Sequence, residues 1–265
     1  MDLYSSEKEI IAFFQSIEPE ETALIPENRL SEKFFHSIYE HECWGYWIDS
    51  SAHNDPPPDF YNDNDHIMMD VMRVDDHGYK NGKGKTVNPT KERESKLWHE
   101  LKDAGIFETF PNAKSLLIAD TKLPTDEDHN YRFYRNNFVD TIEKHKKKIA
   151  YYKRNHPGYQ IVFFVFDESS MYCSSGKWNK NKVPFVGDII CGAPHLWFAD
   201  AEFLRVVLHS EIDFLIWFAP YKHADMFDAI GKPVVLPRAA IINVKQYPKD
   251  ILRKYELQSM VSAEV

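Results

Sequence analysis

Charged side chains inside apolar strands come first, because an isolated buried carboxylate is costly unless it is paired or bound to a metal. Asp70 interrupts the run HIMMDVMRV, with methionines before and after it. Asp120 and Lys122 follow directly on the apolar segment SLLIA, residues 115–119. Side chains alternate along a strand, so Asp120 and Lys122 project from one face. Two carboxylates converging at strand ends, with an amine beside them, make a site for a hard divalent cation. Mg²⁺ takes oxygen ligands and keeps waters for a phosphate substrate. The plainer alternative is a salt bridge between Asp120 and Lys122 and a water-facing Asp70 at a sheet edge, since structural networks also hold such charges.

The elements that must position these residues alternate between helix and strand, which predicts an α/β fold. Ser6 with Glu9 forms a capping box for a first helix to about residue 16, and Ser31 is the expected cap of a second, running to about residue 42. Pro56, Pro57 and Pro58 exclude helix from the loop over 50–65. Residues 66–74 read as a strand, followed by the Lys-rich turn GYKNGKGK and a helix over 91–103. The clearest element is a helix over 130–154, where Tyr131, Tyr134, Phe138, Ile142, His145, Ile149 and Tyr152 recur at spacings of three and four. YQIVFFVF (159–166) then reads as a strand buried on both faces. A helix over 201–209, strands over 214–218 and near 234–244, and a last helix over 248–257 complete the pattern. No repeat or long linker divides the chain, so residues 1–265 are expected to form one α/β domain.

An Asp on one strand, then Asp-x-Lys on another, then a helix and a buried strand, resembles the PD-(D/E)xK nuclease superfamily. The matching residues are Asp70, Asp120-Thr121-Lys122, the helix over 130–154 and the strand over 159–166. The resemblance spans about residues 30–170. It implies a restriction-endonuclease-like core, a central mixed sheet flanked by helices, whose motif strands are separated by a large insertion. Residues 171–265 would extend the same sheet. It further implies Mg²⁺-dependent hydrolysis (Mn²⁺ as a substitute) of nucleic acid, with DNA favoured over RNA as substrate, by an exonuclease-type member. Asp70 and Asp120 would be metal ligands, with Glu40 (or Glu42) adding a third carboxylate. Lys122 would be the catalytic lysine, and Arg135 would reach the substrate phosphate. Lys80, Lys83 and Lys85 in the turn, with Lys144, Lys146, Lys147 and Lys148 on the long helix, are basic material for a phosphate backbone, though a lysine run is also what a solvated helix face carries.

Other motifs carry less. Gly84-Lys85-Thr86 fits the end of a phosphate-binding loop, but the first glycine, Gly78, stands one place too early and Pro89 falls where the helix should begin. With Asp167-Glu168 ending an apolar strand, it defines an alternative nucleotide hydrolase using Lys85 and Asp167. His36, His41 and Cys43 lie close without a zinc spacing. His53, His66 and His77 flank an acidic loop holding Asp55, Asp59, Asp63 and Asp65, which lacks the glycine and final glutamate of a calcium loop; these read as surface residues. A non-catalytic interaction module is the third class, since the aromatic-rich segments near 195–220 could line a partner surface. The chain has 265 residues, 43% hydrophobic, and a net charge of −9, which argues against coating nucleic acid by charge alone. The three cysteines, Cys43, Cys173 and Cys191, give no disulfide framework. The polar, acidic N-terminus does not read as a signal peptide, and no apolar run reaches the length of a membrane span. The expectation is a cytoplasmic protein.

Overall fold

A computed structural model describes residues 4, 6–50, 58–109, 129–174, 193–227 and 232–263. In chain order the first half supplies helix α1 (Glu7–Phe14), strand β1 (Thr22–Ile25), helix α2 (Arg29–Tyr39), the short α3 (His41–Trp44), strands β2 (Ile48–Asp49), β3 (Phe60–Asn62) and β4 (Ile67–Val74), the hairpin β5 (Tyr79–Lys80) and β6 (Thr86–Val87), and helices α4 (Pro89–Asp103) and α5 (Ile106–Thr109). The second half supplies α6 (Tyr131–Lys146), α7 (Ile149–Asn155), β7 (Gln160–Asp167), β8 (Tyr172–Ser174), β9 (Ala193–Pro194), α8 (Ala201–Leu208), β10 (Phe214–Phe218), β11 (Ala224–Phe227), β12 (Pro233–Leu236), β13 (Ala239–Asn243) and β14 (Met260–Ser262).

Seven strands form one mixed sheet in the order β1-β13-β10-β7-β4-β3-β2. β4, β7 and β10 run parallel at its centre. β3 folds back antiparallel on β4, and β2 on β3, while β13 is antiparallel to β10 and β1 parallel to β13. The parallel centre explains why IVFFVF (161–166) and FLIWF are apolar at every position: helices cover both faces. Strand alternation divides the core in two. Met68, Met72, Phe163, Val165, Leu215 and Trp217 pack under α6, α7 and α8. Met69, Val71, Val162, Phe164, Ile216 and Phe218 pack against α1 and α2. The molecule is therefore an α/β protein with helices on both sides of a mixed sheet. Among the described residues, no helix is long and apolar enough to cross a membrane.

Caps set where the helices begin. Ser6 accepts the Glu9 amide and starts α1 as expected. Asn28, not Ser31, starts α2, because its side-chain oxygen takes the amides of both Leu30 and Ser31, and Ser31 is left buried inside the helix. Asn130 caps α6 and Asp200 caps α8. The single helix expected over 130–154 is two, broken by a tight turn in which the Lys148 amide bonds the His145 carbonyl. Lysines at 144 and 148 repel each other at helical spacing, which weakens the helix there. The strand expected near 234–244 is also two: Pro237 and Arg238 separate β12, which pairs with β11, from β13 in the main sheet. Residues 248–257 do not form the expected α-helix. Arg253 exchanges backbone hydrogen bonds with Ala199 and Ala201, and Ile251, Leu252 and Tyr255 lie against the core. The strand expected over 115–119 lies outside the described residues.

Phe138 shows how firmly α6 is seated: it has no exposed surface and stacks on Trp217 with ring centroids 4.4 Å apart. Phe138→Ala should cost about 3–5 kcal/mol, read by urea denaturation. A loss below about 1 kcal/mol would mean that α6 does not pack on the sheet in this way.

Candidate functional site

The parallel strands β4 and β7 end at neighbouring positions, Val74 and Asp167. In open α/β sheets this carboxyl edge is where ligands gather. Here much of it is filled by a polar network. Asp167 Oδ2 accepts hydrogen bonds from the Tyr134 hydroxyl (2.5 Å), the Trp217 indole (2.8 Å) and the Lys222 ammonium (2.8 Å). Its Oδ1 accepts from the Ser169 amide (3.0 Å) and hydroxyl (2.6 Å). Lys222 is 1% exposed and also donates to the Tyr134 oxygen at 2.7 Å. Burial lowers the Lys222 pKa and Asp167 opposes that shift, while burial and then Asp167 raise the Tyr134 pKa well above its ordinary value. Asp200 repeats the theme, accepting from Tyr131, from His195 at 2.8 Å and from the Glu202 amide at 2.9 Å. Both carboxylates are fully enclosed and satisfied on both oxygens, the condition under which a buried charge is tolerated.

A different arrangement surrounds Asp70. It projects from β4 toward α6 and is 3% exposed. Its Oδ2 is hydrogen-bonded by His145 and accepts from the Tyr152 hydroxyl at 2.9 Å. Asp59 immediately precedes β3, whose Phe60 pairs with Met69 of β4, and its carboxyl lies close enough to Asp70 to feel its charge. Asp59 Oδ2 accepts the Val71 amide at 2.8 Å. Burial first, and the neighbouring Asp70 second, push the Asp59 carboxyl up to about 7. The Asp70 charge disfavours ionisation of Asp59, and a cation beside the two would reverse that effect. The hairpin that brings them together is closed by Asn62, whose side-chain oxygen accepts the Asn64 (2.9 Å) and Asp65 (3.2 Å) amides, an Asx turn.

Beside this pair, between α1 and α6, lies a cleft of about 340 Å³. Glu7, Met72, Arg73, Thr141, Lys144 and His145 are among its lining residues. His145 thus belongs both to the cleft and to the shell of Asp70. Arg73 is held in a bidentate pair with Glu168, at 2.6 and 2.8 Å. Lys144 is exposed.

Of the residues expected at a metal site, Asp70 is buried beside His145, and its carboxylate neighbour is Asp59. The sequence pattern groups Asp59 with the surface acids of the loop over 50–65. The signal that could have found it is Asp59 followed by two aromatics, an Asn-rich turn and then the strand carrying Asp70. Asp120 and Lys122 lie outside the described residues. Glu40 sits at the junction of α2 and α3, half exposed and paired with His36 at 2.8 Å. Arg135 is on α6 ten residues before His145, about 15 Å along the helix axis. Lys80 is in β5, and Lys83 and Lys85 are exposed in the turn that follows, where Asn81 takes both of their amides at 3.0 Å. Gly84-Lys85-Thr86 therefore lies in a hairpin, and α4 begins only at Pro89. Asp167, its partner in the nucleotide-hydrolase alternative, is enclosed by the network above.

No family model matches the chain, and no curated protein or solved structure matches it.

Two measurements test these assignments. In metal-free protein the Asp59 carboxyl should titrate near 7 rather than at its ordinary 3.8. The folded state then holds this proton more tightly than the unfolded chain. Its stabilising effect is complete below pH 3.8 and is lost as pH rises through about 7, so stability falls across that window. Asp59→Asn should flatten the fall, read by urea denaturation against pH, and Asp70→Asn should lower the Asp59 midpoint in carboxyl NMR. A wild-type midpoint near 4 would remove the carboxyl pair. Separately, Lys222→Ala leaves the Asp167 charge without its cation and should cost about 3–5 kcal/mol in the same denaturation assay; a neutral result would show that the network does not need the ammonium.

Proposed function

We propose that the protein hydrolyses phosphodiester bonds of nucleic acid with a divalent cation held between Asp59 and Asp70. The observation that carries the reading is the proximity of two carboxyls, Asp70 on β4 and Asp59 just before β3, beside a cleft lined by Lys144 and His145. The donor chemistry fits a hard cation such as Mg²⁺, which takes carboxylate oxygens and keeps waters. Each carboxyl is anchored through its Oδ2, by Val71 in one case and by His145 and Tyr152 in the other. An ion would be met by the remaining carboxyl oxygens.

Also in support is the order of elements. Helix α2, the antiparallel run β2-β3-β4, the crossover α6-α7 and the parallel β7 come in an order compatible with a restriction-endonuclease-like core. On this reading Asp59, preceded by Pro58, and Asp70 with Val71 and Met72 would correspond to the two motif segments of the PD-(D/E)xK superfamily. This reading puts the pair on one hairpin. Asp120 and Lys122 remain contributors to be tested from outside the described residues.

When bound, a divalent cation would act as a Lewis acid on the phosphoryl oxygen and lower the pKa of a bound water. The chain's own residues do the rest. His145 and Tyr152 fix the Asp70 carboxylate, and Val71 fixes that of Asp59. Lys144 presents an ammonium at the cleft wall, where it attracts the phosphate and offsets negative charge developing on it. The lysines of the β5–β6 turn add positive charge on a second surface.

One observation favours a second reading, a module that binds nucleic acid without cutting it. Met72 occupies the position, two residues after Asp70 on the same face, where the superfamily carries its lysine.

The experiment is cleavage of labelled single- and double-stranded DNA and RNA with Mg²⁺ or Mn²⁺. Cleavage should require the metal and fall about 100-fold or more in Asp59→Asn and Asp70→Asn, with Lys144→Ala lowering kcat more than it raises KM. Binding without cleavage would establish the second reading. Neither binding nor cleavage, or full activity in Asp70→Asn, would end the nuclease proposal. Phosphate release from ATP that depends on Lys85 would replace it with the nucleotide-hydrolase alternative.

A further inference from the structure

Just past the end of β4 the loop over 75–78 carries a second group of ligand-type side chains that the nuclease reading does not use. Asp76, His77 and His129 bring one ligand atom each within 4.8 Å of one another. Asp76 Oδ1 lies 3.4 Å from His129 Nδ1 and 3.7 Å from His77 Nε2. With metal–ligand bonds of about 2.0–2.1 Å, a tetrahedral zinc ion keeps its N and O ligands about 3.3–3.4 Å apart. Two edges of this triangle are thus already near the size that an ion requires.

The carboxylate is built for the task. Asp76 has no exposed surface. Its Oδ2 is fully engaged, by the Ser170 amide (3.0 Å), the Ser170 hydroxyl (2.7 Å) and the Tyr172 hydroxyl (2.6 Å). Its Oδ1 has no hydrogen-bond donor in good geometry among the described residues and is aimed between the two imidazoles. This is the division of labour seen in metal ligands, with one oxygen oriented by outer partners and the other presented to the ion. The backbone is tied down as well. Asn137 on α6 donates to the carbonyls of Asp75 (3.3 Å) and Gly78 (2.9 Å), and the Asn130 amide bonds the Asp76 carbonyl at 3.3 Å. His77 and His129 are each about one-fifth exposed, while the Asp76 side chain is fully buried.

We propose that Asp76, His77 and His129 bind one divalent transition metal of the zinc class, separately from the Asp59–Asp70 pair. Two imidazoles and one carboxylate select such an ion over Mg²⁺ or Ca²⁺. Among the described residues three side chains supply ligands, and a four-coordinate ion would take its fourth ligand from water, an anionic oxygen or a further residue of the chain.

The test uses the full chain, stripped with chelator and titrated with Zn²⁺ by calorimetry and with Co²⁺ by visible absorption. Wild-type protein should bind one Zn²⁺ per chain, show the intense bands of four-coordinate cobalt, and keep its zinc against excess Mg²⁺. His77→Ala and His129→Ala should each weaken Zn²⁺ binding by more than the roughly 10–100-fold that loss of an outer partner costs, and Ser170→Ala by an amount within that range. Asp59→Asn should bind Zn²⁺ as wild type does, whether or not the protein cleaves nucleic acid. Folding is checked by circular dichroism, with His77→Gln and His129→Gln replacing any alanine variant that does not fold. Failure of wild-type protein to bind Zn²⁺, undiminished binding in both histidine variants, or loss of binding in Asp59→Asn would each overturn the proposal.

Discussion

The structure depends on what is done with the negative charge of Asp167. That carboxylate ends the central strand in a place without solvent, where an unpaired ion would be several kcal/mol too costly to keep. The fold surrounds it with donors from four places: Tyr134 from α6, Trp217 from β10, Lys222 from the turn after β10, and Ser169 from its own loop. Such a hub has few solutions. It fixes the height and rotation of α6 over the sheet, because Tyr134 must reach Asp167 while Phe138, one turn on, stacks on Trp217.

Once α6 is fixed, both candidate sites follow from it. Toward its C-terminus, His145 meets Asp70, with Tyr152 of α7 beside it. Toward its N-terminus, Asn130 and Asn137 hold the loop that carries Asp76 and His77. Four residues of strand, about 13 Å, separate Asp70 from Val74, and the loop bearing Asp76 lies beyond. The two sites therefore belong to one strand and one helix but do not merge. They also differ in kind. Neighbouring carboxyls suit a hard ion, and paired imidazoles with a single carboxylate suit a softer one.

The frame of this protein was legible in its sequence wherever burial alone decides structure. The runs QIVFFVF and FLIWF can only be covered on both sides, and the aromatic stripe from Tyr131 to Tyr152 marks the face that covers them. Less legible were choices between near-equals. Asn28 and Ser31 are both good caps, and geometry selected the one able to take two amides. The short strands β1, β2 and β3 carry too few residues to show a period. Asp70 was conspicuous because an acid inside a methionine-rich strand contradicts its surroundings. Asp59 was not, because among neighbouring acids and asparagines it looks like loop. Only the fold reveals that it lies beside Asp70. His77 and His129, 52 positions apart, were likewise beyond any spacing argument, since their meeting is set by the Asn130 and Asn137 hydrogen bonds rather than by a local motif.

It remains to ask why Asp59 should be an acid at all. Its carboxyl accepts the Val71 amide, and an asparagine oxygen would accept that hydrogen bond equally well. Asparagine would also remove the repulsion with Asp70 and the need to hold a proton near neutral pH. On stability alone, the amide is the better residue at this position. The balance reverses only when something positive arrives between the two side chains, because a cation turns the same repulsion into two favourable contacts and displaces the proton. His145 cannot be that partner for both, since it already bonds Asp70 through Oδ2. An acid at position 59 is thus a local disadvantage that makes physical sense as half of a cation site.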